Sequence, residues 1–183
     1  MRFAPLVAAA TLLVAPALAA RTMKAVPPPA PPKSGLRAEL ISDLDDVQKK
    51  VMQLATIIPA AKYSWRPARG VRSVSEVYMH IAGGNYFGAA AITRKPVTSE
   101  DQTLEQITEK DRVLDELRKS FDQLRDAIIG ASDADLDKTV KMYGTDTTQR
   151  AAMITALNHI HEHLGQSIAY ARMTGIVPPW SAM

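Results

Sequence analysis

The sequence contains no cysteine among its 183 residues. Disulfide bonds, a lipid-modified cysteine and a thiol nucleophile are therefore all excluded. Aromatic residues are also scarce, at 5% of the chain, and most of the apolar residues are Ala, Leu, Ile, Val and Met. Because this mixture favours helices over sheets, and no segment has a convincing strand pattern, the composition predicts an all-α protein.

Strong charge of one sign is lacking too. The formal net charge is only +3 at pH 7, and the basic residues are dispersed along the chain. A protein that binds nucleic acid would be expected to carry a basic stripe or patch. Nucleic acid is therefore not predicted as a partner.

The N-terminus lacks an apolar run long enough to span a bilayer, which takes about 20 residues. A shorter run, from about Leu6 to Val14, follows the basic Arg2 and precedes small residues at Ala17 and Ala19. This layout is typical of a signal peptide cleaved after Ala19, and the alternative, a retained membrane anchor, is disfavoured by the short run. Residues 1–19 are predicted to be a signal peptide, so the mature protein is expected to be periplasmic or secreted, with no stable membrane anchor.

Two further segments follow the leader. Residues 20–35 hold five prolines between Pro27 and Pro32 and are predicted to be a semi-rigid linker. Residues 36–183 are long enough to form one domain with its own hydrophobic core.

Helical periodicity dominates this domain. Apolar residues recur at helical spacing over about 36–58, 74–91, 104–129 and 148–174. Ser73 and Glu76 predict a capping box at the start of the second helix, and Thr103 is the expected N-cap of the third. Four helices with one apolar stripe each predict a four-helix bundle.

Three of the four histidines lie in the stretch NHIHEHLGQ, residues 158–166. On a helix, His159 and His163 share one face, whereas His161 lies about 200° around the axis from either. Gln166 and Tyr170 continue the face of the pair. Such a pair can bind one metal ion, but it can also be a solvated surface pair or a hydrogen-bonded core pair.

The fourth histidine, His80, falls in the middle of the second predicted helix. Three histidines from two helices would match a catalytic metal site, which commonly takes three protein ligands and keeps one position open. Gly83 and Gly84 lie on the face of His80, where they leave room either for a cavity or for close packing of two helices. Tyr86 and Trp65 could line such a pocket or pack in the core.

The segments WRPARGVRSVSEVYMHIAGGNYF and HIHEHLGQSIAYARMTGIVPP together resemble the DinB-like superfamily, whose members are four-helix metal-binding proteins. The shared pattern is one histidine on the second helix, then His-x-x-x-His leading into Gly-Gln on the last helix, and a later Arg, Gly and Pro-Pro. The matching positions are His80, His159, His163, Gly165, Gln166, Arg172, Gly175, Pro178 and Pro179, and Trp65 to Pro67 also resembles the family.

This resemblance implies one divalent ion held by His80, His159 and His163, with water completing the site. Zinc or nickel is the expected ion, with iron or manganese as alternatives. Some relatives are thiol-dependent S-transferases or maleylpyruvate isomerases, others resemble metal-dependent hydrolases, and relatives often form homodimers. One departure from the pattern is Leu164, where a basic residue often follows the last ligand. The leader is another departure, because the thiol-using relatives work in the cytosol.

Two hypotheses of function follow. In the first, the protein is an exported metal-dependent enzyme, such as a hydrolase, acting on a small molecule of unknown identity. In the second, it is a module that binds a metal or a small ligand without turnover. No catalytic base is assigned, because Glu162 lies about 100° around the helix from His163 and Glu76 fits the capping box. A carboxylate inside the metal cavity would favour the enzyme.

Overall fold

The computed structural model describes residues 29–96 and 103–181. The predicted signal peptide and residues 20–28 of the predicted linker lie outside this part of the chain. Four long helices dominate the described residues, which confirms the predicted all-α four-helix bundle. They are α1 (Leu36–Ile57), α2 (Val74–Thr93), α3 (Lys110–Gly130) and α4 (Gln149–Met173). None of the helices in these two ranges combines the length and the apolar character needed to cross a membrane.

The core lies between the apolar faces of the four helices. Helix α2 packs against both α3 and α4, and α1 packs against the same two helices from another side. Fully buried side chains from every helix meet there, including Leu44, Leu54, Tyr78, Ile81, Leu117, Phe121, Met153 and Ile160. Because α2 is buried along most of its length, a polar residue on it must be satisfied inside the protein.

The start of α2 has the predicted capping box. The Ser73 hydroxyl accepts a hydrogen bond from the Glu76 amide at 3.3 Å, and the Glu76 carboxylate accepts one from the Ser73 amide at 2.6 Å. Glu76 also pairs with Arg66 at 3.0 Å. Its carboxylate is therefore occupied at the helix N-terminus, one turn before His80, and does not orient that imidazole.

The third helix begins later than the sequence predicted, and Thr103 is not its N-cap. Leu104–Gln106 forms a separate 3₁₀ turn, and α3 begins only at Lys110. The N-cap is Glu109, whose carboxylate accepts hydrogen bonds from the amides of Asp111 and Arg112 at 3.0 Å each. The apolar residues of the turn have the same spacing as those of the helix, because both pack on the same core.

The prediction that the chain has no strand was also wrong. Strands β1 (Thr139–Met142) and β2 (Thr145–Thr148) form an antiparallel hairpin before α4. Val140 and Met142 are buried in a small cluster with Ala91 of α2 and Ala152 of α4. In β1 these two buried residues alternate with exposed ones, so one face of the strand packs against the bundle.

Candidate metal centre

Three histidines from two helices meet inside the bundle. His80 comes from α2, and His159 and His163 come from successive turns of α4, as their spacing predicts. One ring nitrogen from each lies within 4.8 Å of the corresponding nitrogens of the other two. The Nε2 atoms of His80 and His159 are 3.2 Å apart, and the ring centroids are separated by 4.5–4.9 Å. Nitrogen atoms this close together can converge on a single divalent ion.

The two glycines of α2 have different surroundings. A Cβ atom placed on Gly84 would lie 2.3 Å from Cε1 and 2.4 Å from Nδ1 of His159, so no larger residue leaves room for this ring. The nearest atom to a Cβ on Gly83 is Leu104 Cδ1 at 3.9 Å, and Gly83 lines an open cavity. Thus Gly84 permits the close approach of an imidazole, whereas Gly83 borders empty space.

A hydrogen bond from His163 to the amide oxygen of Gln166 fixes the tautomer of His163. Gln166 Oε1 lies 2.8 Å from His163 Nδ1, and Gln166 Nε2 donates to the Tyr170 hydroxyl at 3.0 Å. Because an amide oxygen can only accept, Nδ1 of His163 carries the proton. The lone pair of His163 is therefore on Nε2, as metal binding through that atom requires.

A carboxylate supports His80 in the same way. Glu105 Oε1 lies 3.1 Å from His80 Nδ1 and accepts a hydrogen bond from its N–H, which leaves the lone pair on Nε2. The same oxygen accepts a hydrogen bond from Arg72 Nε at 3.0 Å. The role of Glu105 was not predicted, because the apolar spacing places this residue on a regular third helix and not on the 3₁₀ turn that carries it to His80.

The electrostatic surroundings of His159 and His80 favour their neutral forms. Burial, followed by the neighbouring His163 and His80, lowers the pKa of His159 to about 4. Burial, followed by the charge of Arg72, also lowers the pKa of His80. Neutral imidazole is the form that binds a metal ion, so ligation needs no costly loss of a proton near neutral pH.

The residues present fit a divalent ion. Two imidazoles have their lone pairs on Nε2, and the buried Nδ1 of His159 has no hydrogen-bond partner among the described residues. Ligation through His159 Nε2 would place the proton of that ring on Nδ1. Three imidazole nitrogen donors, two of them on rings whose Nδ1 is hydrogen-bonded, suit zinc or nickel, whereas magnesium and calcium prefer oxygen ligands.

A cavity of about 580 Å³ opens on this cluster. His80 and His159 form part of its wall together with Glu105, and most of the remaining wall is apolar. Such a volume lies within the range of small-molecule sites in proteins. One side of the histidine cluster is therefore accessible to a small molecule.

The other residues proposed from the sequence lie behind the cluster or in the core. Tyr170, bonded to Gln166, packs edge-on against Trp65 with ring centroids 5.5 Å apart. Tyr86 is buried, and its hydroxyl donates to Glu116 at 2.7 Å. None of these four residues is among those that line the 580 Å³ cavity.

His161 is exposed, on the opposite side of α4 from the cluster. Its Nε2 lies 3.2 Å from Asp43 Oδ1. The structure thus separates His161 from the other three histidines, as helical geometry predicts.

Replacing Glu105 with glutamine is expected to weaken metal binding about 10- to 100-fold, as is typical for the loss of a partner that orients a ligand. The amide lacks the charge that holds His80 Nδ1–H and Arg72 together. The dissociation constant for zinc, measured by competition with a chromogenic chelator, checks this. Glu162→Gln is the matched control, since Glu162 is exposed on α4 next to His163 in sequence. Equal affinities in the two variants would contradict a role for Glu105.

Comparisons with known proteins agree with this architecture. The sequence model of the DinB superfamily matches residues 43–167, a range that includes all three clustered histidines. No curated protein matches the chain.

Several crystal structures share the fold. A DinB-like protein from Bacillus subtilis has 23% identity and a TM-score of 0.62 over 75% of this chain and 92% of its own. A DinB-like protein from Bacillus cereus has 18% identity and a TM-score of 0.66, over 76% and 93% respectively. A conserved protein from Enterococcus faecalis has 15% identity and a TM-score of 0.64, over 76% and 96%. Because the superfamily model matches more than half of the sequence, this chain belongs to the DinB superfamily.

Proposed function

We propose that this protein is a metal-dependent hydrolase that acts on a small molecule at the three-histidine centre. The observation that carries the proposal is that His80, His159 and His163 form one cluster, two of whose members, His80 and His159, line an open cavity. Three protein ligands leave a coordination position for water or substrate, which is the arrangement of catalytic zinc sites. Zinc or nickel is the ion that we propose for it.

The bound ion would supply an activated water molecule or polarise a substrate carbonyl. The chain contributes the orientation of the ligands: Glu105 holds His80, and Gln166 holds His163. Glu105 also lines the cavity, where its carboxylate is the acidic group among the described lining residues. A hydrolytic reaction needs a base close to the attacking water. Because Oε1 of Glu105 already accepts hydrogen bonds from His80 and Arg72, the other carboxylate oxygen, Oε2, is our candidate for that base. This carboxylate favours the hydrolase over a non-catalytic binding module.

We further propose that the protein acts outside the cytoplasm. The proposal depends on the leader, residues 1–19, which lies outside the described residues. Export would also argue against a thiol-dependent transferase, because low-molecular-weight thiols are cytosolic cosubstrates. Sequencing of the exported protein should find Ala20 as its first residue, and an intact leader on the mature protein would contradict cleavage.

The proposed activity is tested with purified protein that begins at Ala20 and carries one equivalent of zinc or nickel. We expect turnover of at least one member of a panel of aryl esters, anilides and phosphate esters, and loss of this turnover on treatment with a chelator. Glu105→Gln should lower kcat by about 100-fold if Glu105 is the base, whereas His161→Ala should leave it unchanged. Metal-loaded protein that binds these compounds without turning any over would instead identify a binding module.

A further inference from the structure

The turn of the β-hairpin places a tyrosine where tyrosine is unfavourable. Tyr143 and Gly144 have φ angles of 51° and 77°, and they form a two-residue loop between β1 and β2. Positive φ at both positions defines a type I′ turn, in which Asn or Asp normally precedes Gly. A bulky side chain in this region of backbone space is uncommon, so the ring of Tyr143 requires an explanation.

The ring of Tyr143 stacks on Phe87 of α2. Their centroids are 4.7 Å apart and their planes differ by 14°. Both rings line the cavity that opens on His80 and His159. Tyr143 nevertheless remains 59% exposed, far more than a side chain that serves only to fill the core.

The hairpin holds this ring in place over the cavity. Val140 and Met142, on the strand before the turn, are 4% and 5% exposed and anchor β1 to α2 and α4. The position of Tyr143 therefore follows from packing on both helices that carry the histidines. Tyr143 and Phe87 together form what we call the aromatic wall.

The cavity has both polar and apolar lining residues. His80, His159 and Glu105 are polar, and Met79 and Leu104 add apolar surface to that of the aromatic wall. A ligand that fills it needs a metal-binding or hydrolysable head and a flat apolar body, because rings bind best against other rings. We propose that the aromatic wall determines specificity by binding the aryl group of the substrate. This role of the aromatic wall rests on the proposed function in one respect: the head group of the substrate must bind at the metal centre.

Tyr143→Asn tests this without damage to the hairpin, since Asn-Gly is the preferred sequence of a type I′ turn. The midpoint of thermal unfolding should stay within about 3 °C of wild type, as the better turn residue offsets the lost stacking. Zinc-loaded protein is then titrated calorimetrically with benzohydroxamate and with acetohydroxamate, which share a head group and differ by the aryl ring.

We expect wild-type protein to bind benzohydroxamate at least about tenfold more tightly than acetohydroxamate, because only the former buries a ring. Tyr143→Asn should weaken benzohydroxamate binding about 3- to 10-fold and leave acetohydroxamate binding unchanged. Val177→Asn, at a site 60% exposed and outside the cavity lining, is the control and should change neither affinity.

Unchanged benzohydroxamate binding in Tyr143→Asn would overturn the proposal and leave the metal centre standing. Equal weakening of benzohydroxamate and acetohydroxamate binding would also overturn it. The substitution would then affect the shared head group and not the aryl ring. If the protein holds neither zinc nor nickel, the proposed function fails, and the aromatic wall is tested by itself with 4-fluorobenzyl alcohol and fluorine NMR. Broadening that is lost in Tyr143→Asn would support the wall, and broadening that persists would overturn it.

Discussion

Replacing His163 with alanine is expected to reduce bound metal from about one ion per chain to a background level, because a tetrahedral site cannot spare one of three protein ligands. The His163 imidazole is buried, and the Gln166 hydrogen bond fixes its Nε2 as a lone-pair donor. No other histidine can replace it, since His161 points away and bonds Asp43. Metal content measured by mass spectrometry after dialysis gives the result directly.

The same variant should lose the stabilisation that the ion provides. A ligand present at 1,000 times its dissociation constant stabilises the folded state by about 4 kcal/mol. Wild-type protein should therefore unfold at a higher temperature with zinc than with a chelator, whereas His163→Ala should unfold at one temperature in both. His161→Ala controls for loss of an imidazole from α4 and should behave like wild type. Wild-type metal content in His163→Ala would contradict the ligand assignment.

The second large effect is expected from Gly84→Ala. The added methyl carbon would lie 2.3 Å from Cε1 of His159, well inside contact distance. The imidazole must swing away from His80 and His163, and we expect zinc affinity to fall by at least about 100-fold, as for a displaced ligand. Competition with a chromogenic chelator measures the change.

Gly83→Ala is the matched control, one residue away on the same helix. Its methyl group would meet nothing closer than Leu104 Cδ1 at 3.9 Å. Zinc affinity should stay at the wild-type level, and unfolding should occur about 2–4 °C higher, since alanine is the better helix former by up to about 1 kcal/mol. If the two alanine variants bound zinc equally well, the imidazole of His159 would not depend on the space at Gly84.

Helical periodicity explains why the bundle and the pairing of His159 with His163 could be predicted, whereas the inclusion of His80 as the third ligand depended on the resemblance to the DinB-like superfamily. A spacing of four residues puts His159 and His163 on one face of α4. The apolar residues around His80 predict that it lies on the side of α2 that faces the bundle. Both inferences need only the local geometry of one helix. A need for space beside the two glycines of α2 could be anticipated as well, although the sequence could not distinguish the close approach of His159 at Gly84 from the open cavity at Gly83.

Glu105 and the hairpin could not be predicted, because both depend on breaks in a regular pattern. Leu104 and Ile107 continue the apolar spacing of α3, and the residue that caps the helix, Glu109, is not among the usual N-cap types. The hairpin carries Tyr143 where the expected signal is Asn before Gly. In each case tertiary packing on the core outweighed the local sequence preference.

The placement of the ligands on α2 and α4 has a consequence for a chain that has no cysteine. His80 and His159 are separated by 79 residues of sequence. An ion bound to both is a cross-link that closes this long loop, and a cross-link of that span restricts the unfolded chain much as a disulfide would. If the protein is exported, as we propose, this bundle would be cross-linked by a metal ion in a compartment where other proteins use disulfide bonds. Unlike a disulfide, the ion can be removed and restored without any change in oxidation state.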